Sequence, residues 1–174
     1  RQQLLRRRHA PKPRNSPQGH GGMSDRYIMM ILKFFPKDPF LLPDEDTCAE
    51  AAQAASDMFP GCAVEWASSP LPQFVDCGDS LESVKCPVCG ADIDSEDWSC
   101  TMDGLYTDDG FQSLDMTAPC CGAQTSLDRL EYIAPCGFSC FEIDVIDPGK
   151  LPKKAAEELS RRTGLALAMV EAHI

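Results

Sequence analysis

Cysteine is the residue type in this chain whose spacing most clearly points to chemistry. Two cysteines stand three apart in Cys86-Pro87-Val88-Cys89-Gly90, and two stand side by side in Ala118-Pro119-Cys120-Cys121-Gly122. A Cys-Pro-x-Cys-Gly turn bends the backbone so that its amides point at the thiolates. Soft, deprotonated sulfur in a set of four is what a tetrahedral structural zinc ion takes. Cys86, Cys89, Cys120 and Cys121 are therefore the expected ligands, with Zn2+ as the expected cofactor. Four thiolates also suit a single iron, so ligand type alone does not separate the two metals.

Residues 86–122 resemble the zinc-ribbon knuckle class, in which one Cys-Pro-x-Cys-Gly turn is answered by a second. The resemblance extends to no other part of the chain and implies a closed site that supports folding. One position departs from the pattern. The first cysteine of the second knuckle would fall at position 118, which is Ala118. Cys121 matches the second ligand, and the fourth must come from elsewhere. Cys120 is the choice, although adjacent side chains diverge and joint ligation needs an unusual turn. Cys136 and Cys140 are the reserves, and Cys100 also stays open as the fourth ligand. Cys48 and Cys62 read as buried free thiols, which behave as small hydrophobes; Cys77 takes no assignment.

Cys-Pro-x-Cys also occurs in glutaredoxin-like redox sites, where a helix N-terminus activates the first cysteine. Here Gly90 follows the motif and Ala91-Asp92-Ile93-Asp94 alternates like a strand, so no activating helix is expected. The acids Asp92, Asp94, Glu96, Asp97, Asp103, Asp108 and Asp109 lack the spacing of a calcium loop and read as a solvated acidic loop. Glu142 and Asp144 alternate with Phe141, Ile143 and Val145, as in a strand with one wet side. The three histidines are His9, His20 and His173, which weakens every histidine-dependent mechanism. No phosphate-binding glycine loop or nucleophile elbow is present. These features favour a non-catalytic adaptor or regulatory role; the alternative is a thiol-dependent redox or metal-transfer protein using the same cysteines.

The elements that must position the cysteines show an internal repeat. Asp38-Pro39-Phe40-Leu41-Leu42-Pro43 recurs as Asp147-Pro148-Gly149-Lys150-Leu151-Pro152. Each copy follows an apolar run, Tyr27–Phe35 or Phe138–Ile146, and precedes a helical pattern that stops at Gly61 or Gly164. The first helix is expected to open on a Thr47-x-x-Glu50 capping box and to bury Cys48, Ala51, Ala52, Ala55 and Phe59. In the second, Pro152 suits the first turn and Leu151, Ala155 and Leu159 share a face. An apolar strand follows each helix, the last being Leu165–Ile174. Two β-α-β units interleave most simply as a ferredoxin-like plait: a four-stranded antiparallel sheet with two helices on one face. The expected division is a basic tail at 1–22, a first half at 23–70, a metal-binding insertion at 71–136 between strands two and three, and a second half at 137–174. Both faces of the first strand are apolar, so the insertion or a second subunit is expected to cover the face without helices; a homodimer through that face is one outcome.

Charge sets the partners. The net charge of −11 joins an acid-free, arginine-rich start to a body that carries all 27 acids. Such a body repels a phosphate backbone, which disfavours nucleic acid and points to a protein partner, with a basic surface as the complement to its charge. Residues 1–22 read as a disordered tail, as read-through ahead of Met23, or as a segment similar to a transit peptide. No apolar run approaches the roughly 20 residues that span a bilayer. Clustered cysteine pairs suit a reducing compartment, so the cytoplasm is the expected location.

Overall fold

The structure, a computed structural model, describes residues 29–149 and 151–174. The basic tail, Tyr27, Ile28 and Lys150 lie outside the described residues. The chain begins with β1 (Met30–Pro36), α1 (Glu45–Met58) and β2 (Ala63–Val75). Short elements follow: β3 (Ser83–Lys85), β4 (Asp92–Ile93), α2 (Ser95–Leu105), β5 (Tyr106–Thr107), β6 (Gly110–Phe111), β7 (Asp115–Thr117), β8 (Gln124–Ser126), a 3-10 turn at Leu127–Arg129, and β9 (Glu131–Ile133). The chain closes with β10 (Gly137–Ile146), α3 (Ala155–Thr163) and β11 (Leu167–His173). The fold is mixed α/β, with three α-helices among the described residues and antiparallel sheets. None of these helices is long and apolar enough to cross a membrane.

The largest sheet has the order β11-β1-β10-β2, and each neighbouring pair is antiparallel. Strand alternation sends Leu32 and Phe34 of β1 to one face, where they meet Phe141, Ile143 and Val145 of β10. Cys48, Ala51 and Ala55 of α1 and Ala155 and Leu159 of α3 close that core from above. Fully burying a side chain such as Leu159 contributes about 2 kcal/mol. The small residues on α1 let the two helices and the sheet approach closely.

Two helix starts differ from expectation. Helix α1 begins ahead of Thr47, because the Asp44 carboxylate accepts from the Thr47 amide at 2.8 Å and takes the cap. That hydrogen bond holds the Asp44 carboxyl below its usual range. The stretch read as an acidic loop contains α2, whose cap is Asp94, accepting from the Glu96 amide at 2.9 Å. Its acids Glu96 and Asp97 occupy the first turn, where negative charge complements the helix dipole. It buries no residue completely, so the apolar periodicity that reveals a helix is weak. Leu151, expected on the buried face of the last helix, is exposed ahead of α3.

The face of the sheet away from the core of α1 and α3 is divided. On one half Phe35 packs with Val75, Cys77 and Val170, flanked by Leu81, Ala134 and Cys136. The chain's own residues after β2 and before β10 thus cover it. The Phe35 ring also lies over Gly137, where a Cβ would collide with it. The other half is charged. Lys33, only 8% exposed, holds Asp76 at 3.0 Å and lies 3.7 Å from Glu142. Burial alone would lower the lysine pKa, but the carboxylates of Glu142, Asp76 and Asp144 reverse that and raise it. Glu142, expected on a wet side, is instead pushed up to about 8, first by burial and then by Asp144.

The sign of the pH effect follows from that shift. The folded state binds the Glu142 proton more tightly than the unfolded chain, whose carboxyl titrates near 4.5. Stability is therefore lost as pH rises from about 4.5 towards 8, and the loss levels off above 8. Glu142→Gln keeps the neutral shape and removes the titration. In urea unfolding with metal and reductant held constant, the variant should match the wild type near pH 5 and exceed it by roughly 1–3 kcal/mol at pH 8.5.

Candidate metal centre

Two hairpins build the cysteine cluster. Strands β3 and β4 pair through Val84↔Ile93 and Lys85↔Asp92, and the turn between them is Cys86–Ala91. Strands β7 and β8 pair through Thr117↔Gln124, and the turn between them is Ala118–Ala123. The two turns share one hydrogen-bond pattern. Cys86 N–H donates to Ala91 O at 2.9 Å, and Gly90 N–H donates to Cys86 O at 2.9 Å. Ala118 N–H donates to Ala123 O at 2.8 Å, and Gly122 N–H donates to Ala118 O at 2.8 Å. Gly90 and Gly122 close the turns at φ of 74° and 72°, a region that costs other residues energy.

By this match Ala118 is equivalent in its turn to Cys86, Cys121 to Cys89, and Cys120 to Val88. Ala118 is fully buried and Val88 is 60% exposed. The sulfur missing at position 118 is thus replaced from a different place in the same turn. Cys86, Cys89, Cys120 and Cys121 have their sulfurs all within 4.8 Å of one another. Cys86 Sγ lies 3.8 Å from Cys121 Sγ, and Cys89 Sγ lies 3.5 Å from Cys120 Sγ. A tetrahedron with metal–sulfur bonds of about 2.3 Å has edges of about 3.8 Å, so this cluster could hold a metal ion.

Electrostatics single out Cys86. The amides of Cys89 and Val88 point at its sulfur and hold its pKa down to about 7. Backbone amides of the turn therefore do the work that a helix N-terminus does in a redox cysteine. Cys120 is exposed as a residue, yet its thiol is pushed up to about 12, first by local loss of water around the sulfur and then by the sulfurs of Cys89 and Cys86. At Cys121 the Ala123 amide pulls the pKa down, but burial and the neighbouring sulfurs of Cys89 and Cys86 leave it raised. Metal binding at such a set would displace the protons that Cys120 and Cys121 hold, so its occupancy would depend on pH.

A second apolar core supports both turns. Val84, Cys86 and Ile93 of the first hairpin meet Met116 and Ala118 of the second, over Phe111, Leu127 and Phe138. Phe138 and Phe74 belong to β10 and β2 and stand opposite each other in register. Trp98 of α2 packs edge-on against Phe74. Tyr132 donates from its hydroxyl to Leu127 O at 2.9 Å.

The other cysteines stand apart from the cluster. Cys100 is exposed, Cys140 is buried, and Cys136 faces Cys77 at 3.3 Å. Cys48 is buried as expected, while Cys62 is only half-buried. The Cys77–Cys136 pairing was not legible in the chain, since the residues are far apart and neither lies in a motif. The Lys33 group was equally hidden: only Glu142 and Asp144 stood out, and they line a pocket of about 270 Å³ with Lys33, Asp76 and Trp66. No protein-family model, curated protein or solved structure matches the chain.

A turn glycine and a helix glycine make a test with opposite signs. A Cβ at Gly90, Gly122 or Gly104 meets nothing within 4 Å, so sterics are equal. Gly122→Ala should destabilise by roughly 1–2 kcal/mol from backbone strain. Gly104→Ala, inside α2, should stabilise by roughly 0.5 kcal/mol, both read from thermal or urea unfolding.

Proposed function

We propose that this is a zinc-binding protein in which Cys86, Cys89, Cys120 and Cys121 hold one structural Zn2+ and the whole serves as a non-catalytic adaptor or regulatory module. The observation that carries the reading is the sulfur spacing, with two hairpins bringing four thiols to tetrahedral distances. Bound there, the ion would contribute folding energy to a segment whose strands are only two or three residues long. Four thiolates fill its coordination, leaving no open position for a reacting water. The strand order β11-β1-β10-β2 and the single core of α1 and α3 support a ferredoxin-like plait with a zinc-ribbon-like insertion at 71–136, between halves at 23–70 and 137–174. Phe40, Leu41 and Leu42, consecutive and exposed, together with the acidic surface, suit a protein partner. Free thiols in this number fit a reducing compartment such as the cytoplasm.

The matched turns supply the decisive variants. Purified protein should carry one zinc per chain by elemental analysis. Cys121→Ser should lose it and expose 76–136 to protease while the four-stranded sheet stays folded. Cys120→Ser should weaken zinc binding by about 10-fold or more, and adding Ala118→Cys should restore it, because position 118 is the partner of Cys86 in the second turn. Protein that holds no metal and alkylates readily at Cys89, Cys120 and Cys121 without unfolding would overturn the reading.

The exposure of Cys89, Cys120 and Cys121 favours a second reading, metal transfer from a labile site. Transfer of zinc to a chelator within seconds, with the fold intact, would select it; retention over hours selects the structural role.

A further inference from the structure

Cys77 and Cys136 lie outside the metal cluster, yet their sulfurs are 3.3 Å apart. Cys77 lies two residues past the end of β2 and Cys136 directly precedes β10, where Val75 and Gly137 are paired. They face each other at the neck through which the chain leaves the large sheet and returns. The neck is rigid. The Gly78 amide donates to Asp76 Oδ1 at 2.8 Å, the His173 amide donates to Cys77 O at 3.3 Å, and Phe35, Val75 and Val170 pack around Cys77.

We propose that Cys77 and Cys136 are a disulfide-forming modification site that closes against a small disulfide of the glutathione type and staples the base of residues 78–135. The sulfurs, 3.3 Å apart, need to approach by only about 1 Å to reach bonding distance. Cys136, the less buried of the two, loses its proton and its thiolate attacks one sulfur of the small disulfide. That S–S bond breaks, and one small thiol leaves. Cys77 then loses its proton and attacks the Cys136 sulfur of the mixed disulfide; the protein S–S bond forms, and the second small thiol leaves. Two protein thiols are oxidised and one small disulfide is reduced to two thiols. Burial, followed by Cys77, pushes the Cys136 thiol up to about 12, which makes the first step slow at neutral pH. The site is therefore one of slow closure rather than of rapid turnover.

The test uses the full zinc-loaded chain, equilibrated in buffers of graded reduced-to-oxidised glutathione ratio, then acid-quenched, alkylated and mapped by mass spectrometry. The expected result is a Cys77–Cys136 linked peptide and two fewer alkylated thiols than the ten of the reduced chain. Cys77→Ala keeps a small apolar side chain in the cluster and should trap glutathione on Cys136 as a stable mixed disulfide. Cleavage within 78–135 by protease should slow in the oxidised wild type, recover on reduction, and stay unchanged in Cys136→Ser. No linked peptide at any ratio, or links from Cys77 or Cys136 to other cysteines, overturns the site. A linked peptide without slower cleavage overturns the staple. Failure of the zinc reading would appear separately, as links among Cys86, Cys89, Cys120 and Cys121.

Discussion

The pairing of β2 with β10 is the constraint on which the rest of the structure depends. These two strands are the longest among the described residues and serve two cores. Ile143 and Val145 lie under α1 and α3, whereas Phe138 and its register partner Phe74 lie under the two knuckle hairpins. Between them the register shifts at Ser139–Phe141. Ser139 is buried there, its hydroxyl donating to Phe141 O at 2.8 Å and accepting from the Phe141 amide at 3.1 Å. A bulge of this kind twists a strand and re-aims its side chains, which lets one ladder feed two apolar clusters.

Around the knuckles, backbone geometry and sulfur chemistry depend on each other. Each hairpin is too short to be stable alone, since a two-stranded ribbon is marginal in water. Aromatic packing among Phe74, Trp98, Phe111, Tyr132 and Phe138 supplies part of what is missing. A cation held by four thiolates would supply the remainder by linking the two turns directly. The buried charges beside Lys33 work the other way. They occupy a face of the sheet that might have been apolar, and their mutual pairing keeps them tolerable rather than making them stabilising.

Much of this was legible in the chain. Strands β1 and β10, the buried face of α1, its stop before Gly61 and the turn at Gly164 followed from hydrophobic period and from proline and glycine chemistry. Less legible were the caps and α2. Asp44 and Thr47 are both good caps, and their contest is decided by which oxygen reaches an amide. Helix α2 shows little apolar stripe because it buries no residue completely. Strand β2 runs on to Val75, through Pro70 and Pro72, which read locally as an end.

By itself, the sequence determined what depends on local chemistry: where soft donors sit beside Pro and Gly, which segments alternate as strands or recur as helices, and how acidic the body is. Tertiary structure decided which distant groups meet. It set Cys120 rather than Cys100, Cys136 or Cys140 beside the sulfurs of Cys86, Cys89 and Cys121, placed Cys77 against Cys136, and gathered Lys33, Asp76 and Glu142 into one part-buried group. The physical reason is that spacing along a chain specifies geometry only within one turn or one strand, where bond angles and periodicity carry it. Beyond that range, register and packing of whole elements fix the distances.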